Sequence, residues 1–237
     1  MVKTSWLRFS ENLGLLSSFQ APRRVLIDET KYIEMHTFCE ASERAFGLCI
    51  YLRSIGVTGK VQVILLCAKA RIAPLKSTTI PRLELCSALL GAQLSSSATQ
   101  TLRCKINRLV YWSDSKVTLG WIKSACKAKT FVANRVAAIT ELSDPENWRY
   151  VPTAENPADL RSRVVDPQNV GKADIWWRGP AFLGEDESSW PSTDVQAVEL
   201  PEIKALSTLV VESTPSVSFI DVTRYSKLRA LGFPSTG

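Results

Sequence analysis

Three stretches in the first third of the chain carry the marks of strands. Residues 32–38 mix the apolar Tyr32, Met35 and Phe38 with polar neighbours. Residues 45–51 form a compact apolar run around Phe46, Leu48 and Ile50, and residues 61–68 are mostly aliphatic and β-branched. Short connectors, 40–44 and 54–60 with Gly56 and Gly59, join them, so the spacing predicts an antiparallel meander. The period then lengthens. Behind Pro81, a residue suited to a first helical turn, Leu83, Leu85, Cys86, Leu89, Leu90 and Leu94 recur at three-to-four spacing among Ala and Ser, which predicts one long helix. Residues 109–112 are a short apolar strand ending at Ser113-Asp114-Ser115. Helices are predicted over 117–122 and 131–142, and a strand over 148–151 that Pro152 stops. Asn156 and Pro157 then supply the cap and first-turn proline of a last helix. The order β-β-β-α-β-α-α-β-α predicts an α/β fold, a mixed five-stranded sheet flanked by helices, because the later strands need crossovers. Residues 1–30 read as a short amphipathic helix and a linker. Beyond residue 164 the texture changes. Trp176-Trp177, Gly179-Pro180 and Trp190-Pro191 anchor an irregular extension over 165–195, and 196–237 are expected to form a flexible acidic connector.

Composition changes this picture in one respect. The chain has 237 residues and a formal net charge of +6, but the charge is divided: residues 1–164 carry 23 Lys and Arg against 13 Asp and Glu, and residues 165–237 carry 6 against 10. A basic body with an acidic tail points to a polyanionic partner for the body, most commonly nucleic acid. Lys69, Arg71, Lys76 and Arg82 cluster ahead of Glu84, and Lys116, Lys123, Lys127, Lys129 and Arg135 cluster after Asp114, so both groups are candidate phosphate contacts. Trp112 and Trp121 read as core residues rather than base-stacking ones. The longest apolar run is too short to span a bilayer and the N-terminus lacks a signal-peptide core, so a soluble intracellular protein is expected, neither secreted nor membrane-bound. Six widely spaced cysteines without a Cys-x-x-Cys pair, and the single His36, argue against structural zinc and against a His-dependent nucleophile.

The candidate chemistry lies in carboxylates at element edges. Glu40 ends the first strand, Glu84 lies near the start of the long helix, Asp114 ends the fourth strand and Asp159 opens the last helix. If the first and fourth strands are neighbours, Glu40 and Asp114 stand side by side, with Glu84 crossing that end and Asp159 brought alongside. Acids gathered in this way repel unless cations neutralise them. Oxygen-only ligands suit Mg²⁺ or Mn²⁺, and two such ions roughly 3.5–4 Å apart serve in-line attack on a phosphodiester. Each acid taken singly also fits a solvated charge, and Asp159 also fits a helix N-terminus.

Five ordered motifs carry a family resemblance: Phe38-Cys39-Glu40-Ala41-Ser42, Ile80-Pro81-Arg82-Leu83-Glu84-Leu85, Trp112-Ser113-Asp114-Ser115, Phe131-Val132-Ala133-Asn134-Arg135-Val136 and Asn156-Pro157-Ala158-Asp159-Leu160. Together they resemble the ribonuclease H-like segment of BEL/Pao retrotransposon polyproteins, also labelled the Pao retrotransposon peptidase family. The resemblance runs over roughly residues 5–195. It implies a ribonuclease H-like domain over 31–164, preceded by a connection from a polymerase over 1–30. It also implies an acidic tetrad of Glu40, Glu84, Asp114 and Asp159 that holds two Mg²⁺ or Mn²⁺ ions and hydrolyses the RNA strand of RNA–DNA hybrids during reverse transcription. The implied partners are that hybrid and the reverse transcriptase and integrase regions of the same polyprotein, in the cytoplasm, a virus-like particle or the nucleus. No Asp-Thr/Ser-Gly protease motif occurs.

The chain departs from the family at three points. Glu40 stands where Asp is usual, and its extra methylene adds about 1.5 Å of reach, large against Mg–O distances of about 2.0–2.1 Å, so slower catalysis or none is expected. Val164 stands where Gly usually follows Ser162-Arg163. Set against the resemblance, the chain is expected to start after a polymerase and stop before an integrase core, as a fragmentary or degenerate copy would. The rival expectation is therefore a catalytically inactive domain that binds nucleic acid or packs against the polymerase.

Overall fold

The computed structural model describes residues 2–14, 24–124, 128–159, 174–192 and 198–203. An N-terminal helix, α1 (Val2–Asn12), precedes a five-stranded sheet. The strands are β1 (Thr30–Ala41), β2 (Ala45–Gly56), β3 (Val61–Ile72), β4 (Arg108–Ser113) and β5 (Trp148–Tyr150), in the order β3-β2-β1-β4-β5. The first three form the expected antiparallel meander, while β4 lies parallel to β1 and β5 parallel to β4. The helices α2 (Ile80–Thr101), α3 (Lys116–Lys123) and α4 (Thr130–Leu142) supply the crossovers, and α5 (Asp174–Arg178) begins the later part of the chain. This is the expected α/β arrangement, a mixed sheet of five strands flanked by helices.

Each strand of the meander is longer than its apolar run. The twelve-residue β1 extends past Phe38 through Cys39, Glu40 and Ala41, and β2 runs on through Arg53 and Ser54. Polar residues stay inside the sheet because partners satisfy them: Thr37 Oγ1 meets Ser95 Oγ at 2.6 Å, and Arg53 meets Glu34. Buried threonine and arginine interrupt the hydrophobic pattern without interrupting the strand.

The sheet carries two apolar layers. On one side Met35, Cys39, Leu48, Ile50 and Leu52 pack with Leu83, Leu85 and Ala88 of α2 and with Val132 and Ile139 of α4. Gly91 lets α2 approach closely, since a Cβ there would stand 2.6 Å from Cys39 Sγ and 3.2 Å from Thr37 Cγ2. On the other side Phe38, Tyr51, Val110 and Trp112 pack with Trp176, Phe182, Leu183 and Trp190. Residues 174–192 thus roof the second face with short turns and aromatic side chains rather than a long helix. Tyr51 Oη ties the roof down by donating to Trp176 O at 2.7 Å.

Residues 198–203, expected to begin a flexible connector, instead run along the helices. Trp121 Nε1 donates to Pro201 O, Lys129 N donates to Glu202 O, and Ala128 bridges Ile203. The helix expected after Asp159, residue Val164, Cys126 and the remainder of the connector lie outside the described residues. The five described cysteines are free thiols, and Cys39 and Cys49 are buried. Among the described residues no helix is long and apolar enough to cross a membrane.

Candidate active site

The parallel pairing of β1 with β4 decides where the acids meet. Its register sets Phe38 opposite Trp112 and Cys39 opposite Ser113, so the next residues, Glu40 and Asp114, stand side by side at that end of the sheet. The two carboxyls are close enough for Asp114 to act on the ionisation of Glu40. α2 is pinned to this end by Ser87, whose Oγ donates to Gly47 O at 2.6 Å and accepts from Glu40 N at 3.1 Å. One turn earlier on α2, Glu84 turns its Oε2 to Ser115, which donates from Oγ at 2.5 Å. Ser115 also caps α3 by accepting from Thr118 N, so one hydroxyl links Glu84 to the start of that helix.

The electrostatics of the cluster are those of crowded like charges. Burial raises the Glu40 carboxyl first, and the hydrogen bond and negative charge of Asp114 add to that. The charge of Glu84 raises it a little more, and the carboxyl is pushed up to about 9. Burial likewise raises Glu84, with Asp114 adding to it and the Ser115 hydroxyl opposing. None of the described ion pairs includes Glu40, Glu84 or Asp114. Neutral donors hold the oxygens instead. Glu40 Oε1 accepts from Ala41 N at 3.0 Å, Glu40 Oε2 from Asn156 Nδ2 at 3.1 Å, and Asp114 Oδ2 from Thr153 Oγ1 at 2.7 Å.

The structure therefore brings three of the four expected acids into one electrostatic unit. Asp159 is half-buried in the turn that contains Asn156, and its N–H donates to Asn156 O at 3.1 Å. Among the described residues no group of three or more His, Cys, Asp or Glu side chains is disposed as a metal cage. The donor chemistry nonetheless suits a hard divalent cation: all the acids offer oxygen, and the raised Glu40 marks excess negative charge that a cation would relieve.

The expected phosphate contacts separate into two kinds. Lys69, Arg71, Lys76, Lys116, Lys123 and Lys129 are exposed. Lys69 pairs with Leu48 and Arg71 with Phe46, two strands from Glu40 at the same end of the sheet, and the Lys116 ammonium lies 5.4 Å from the Tyr150 ring centre. Arg82 and Arg135 are instead engaged within the protein. Arg82 forms a bidentate pair with Glu202, both contacts 2.7 Å, and the two guanidiniums lie over the Phe131 ring. Lys127 lies outside the described residues. Trp112 and Trp121 are core residues, buried as expected.

Sequence reasoning missed Thr153 and Asn156 as residues of this site. Asn156 reads locally as a helix cap, and only the strand register reveals that its amide reaches a carboxylate 116 positions earlier. It also missed the partners of His36. Trp112 Nε1 donates to His36 Nδ1 at 3.1 Å, so the imidazole proton sits on Nε2, which faces Glu34 Oε2 at 3.3 Å. Burial holds this histidine below its usual pKa, in keeping with a neutral ring.

Comparison with known proteins finds one family model and several similar solved structures. The family model described as the Pao retrotransposon-like RNaseH-like domain matches residues 1–115, a span that includes Glu40, Glu84 and Asp114 and stops before Thr153, Asn156 and Asp159. Among solved structures, RNase H1 of the archaeon Halobacterium salinarum is similar at 11% identity and a TM-score of 0.35, over 54% of this chain and 91% of that one. LC11-RNase H1, in complex with an RNA/DNA hybrid, is similar at 15% identity and a TM-score of 0.35, over 54% and 91%. The protease–reverse transcriptase of prototype foamy virus is similar at 10% identity and a TM-score of 0.32, over 68% of this chain and 22% of that one. No curated protein matches.

Proposed function

Residues 1–115 match the Pao retrotransposon-like RNaseH-like domain, and from that premise we propose that the chain is the ribonuclease H-type nuclease of a retroelement, acting on the RNA strand of RNA–DNA hybrids during reverse transcription. The observation that carries this reading is the meeting of Glu40 and Asp114 at the ends of adjacent parallel strands, with Glu84 raised alongside them. Such crowding costs stability without a cation, which is how functional sites differ from structural ion pairs.

Glu40, Asp114, Glu84 and Asp159 are the residues that would hold Mg²⁺ or Mn²⁺. When bound there, two ions would activate water and stabilise the leaving oxygen of the phosphodiester. Glu40 and Asp114 would be the central ligands, with Glu84 and Asp159 completing the set. Ser115 orients Glu84, and the exposed Lys69, Arg71, Lys76 and Lys116 provide phosphate contacts for a hybrid recognised by shape and by its 2′-hydroxyls. The reverse transcriptase and integrase regions of the same polyprotein are the proposed partners.

The second reading is a catalytically inactive domain that binds nucleic acid or packs against a polymerase. It draws on one observation: both Glu40 oxygens already accept hydrogen bonds from neutral donors.

A hybrid with its RNA strand labelled tests the nuclease reading. Mg²⁺-dependent cleavage of the RNA strand by the native chain, lost in Asp114→Asn, is the expected result. Cleavage that survives Asp114→Asn contradicts it. No cleavage by the native chain, with cleavage appearing in Glu40→Asp, selects the inactive domain.

A further inference from the structure

We infer that Thr153 and Asn156 are positioning residues, a neutral two-point clamp that fixes one oxygen of Asp114 and one of Glu40. The inference rests on the cation-binding reading above and gives a role to Thr153, outside the acidic motifs, and to Asn156, which stands beside Asp159 in the last of them; neither lies in the matched residues 1–115.

The clamp is built by the chain segment that leaves β5. Pairing of β5 with β4 continues one step beyond the strand, where Val151 N donates to Ser113 O at 3.1 Å, so the chain arrives beside Asp114. Pro152 then turns it into a single 3₁₀ turn, Thr153–Glu155, closed by Asn156 N donating to Thr153 O at 3.1 Å. Residues three apart eclipse in such a turn, which puts Thr153 and Asn156 on one face. Thr153 Oγ1 donates to Asp114 Oδ2 at 2.7 Å, and Asn156 Nδ2 donates to Glu40 Oε2 and to Cys39 O, both at 3.1 Å. Asn156 Oδ1 accepts from Ala158 N at 3.1 Å, which fixes the orientation of the amide. Asn156 is 3% exposed, so its three bonds are made away from water.

Neutral donors suit this task. A lysine or arginine in the same place would neutralise the acids and compete with a cation, whereas a hydroxyl and an amide give direction without charge. A carboxylate oxygen that accepts one hydrogen bond keeps a second lone pair. The clamp also answers the extra methylene of Glu40. With Oε1 folded back on Ala41 N and Oε2 held by Asn156, the longer side chain stays retracted at the strand end.

The test measures Mn²⁺ affinity of the full chain by calorimetry, together with kcat and KM on the hybrid and the melting temperature. Thr153→Val is expected to weaken Mn²⁺ by about 10-fold, within the 10–100-fold typical of residues that orient metal ligands. It should lower kcat and leave KM and the melting temperature unchanged, and Thr153→Ser should restore both affinity and kcat. Asn156→Ala should weaken Mn²⁺ at least as much; if that variant fails to fold, the exposed Thr153 pair decides. Native affinity in Thr153→Val, with Mn²⁺ binding lost in Asp114→Asn, overturns the clamp and leaves the cation site standing. Native affinity in Asp114→Asn as well overturns both.

Discussion

Strand β1 carries two buried glutamates six residues apart, and their surroundings push them in opposite directions. Glu34 sits among cations. Burial alone would raise it, but the hydrogen bonds of the neutral His36 and of Arg53, with the charge of Arg53, outweigh that and hold it below the usual carboxylate range. Arg53 Nη1 donates to it at 2.8 Å, Arg108 stands 3.5 Å away, and Arg53 also donates to the carbonyls of Leu183 and Glu185. Arg108 and Arg149 continue the network to Glu187, whose carboxyl they pull down to about 2. Trp190 lies within 5.4–5.7 Å of all three guanidiniums. Glu40 meets only acids and neutral donors, and it is pushed up. One end of the strand is balanced by the protein's own charges and locks the roof of residues 174–192 to the sheet. The other end is left unbalanced, as a site for an external cation would be.

Breaking the balanced end should cost most. Arg53→Ala leaves Glu34 buried without its nearest cation and frees two carbonyls of the roof, so a loss of about 3–5 kcal/mol is expected, measured by urea unfolding. The two glutamates should then differ in sign. Glu34→Gln should destabilise by roughly 1–3 kcal/mol at pH 7, whereas Glu40→Gln should stabilise the metal-free protein at pH 8, raising its melting temperature by about 2–4 °C for each kcal/mol of strain relieved. Glu187→Gln should matter least. Its carboxylate is 46% exposed, and about 1 kcal/mol or less is expected, shrinking further as salt is added in the same unfolding experiment.

Much of the fold was legible because the hydrophobic period changes where the elements change. The three meander strands, the long helix behind Pro81 and the short β4 stand where apolar spacing puts them. Strand ends were less legible. Arg53 and Glu40 look like stop signals in the sequence, yet the sheet absorbs them through partners 19 to 116 positions distant. The candidate site was legible as acids at strand and helix ends, since parallel β1 and β4 must bring Glu40 and Asp114 together. Its neutral supports were not, because Thr153 and Asn156 act through side chains whose local pattern is that of an ordinary turn. Arg82 illustrates the converse. Its place two residues before Glu84 suggests a phosphate contact, but Glu202 takes its guanidinium, and no local signal links positions 120 apart.

The contrast between the two glutamates rests on Glu40, and its pH dependence tests it most directly. A carboxyl raised from about 4.5 to about 9 keeps in the folded state a proton that the unfolded chain has released. Stability of the metal-free protein should therefore fall as pH rises through that window. Glu34, held low, contributes stability that is lost only as pH falls below its unfolded value of about 4.3. The measurement is the melting temperature of the native chain and of Glu40→Gln from pH 5 to pH 9, with and without Mg²⁺. The expected result is a decline in the metal-free native chain that Glu40→Gln flattens and Mg²⁺ reverses. Parallel curves for the two proteins, untouched by Mg²⁺, would contradict the account.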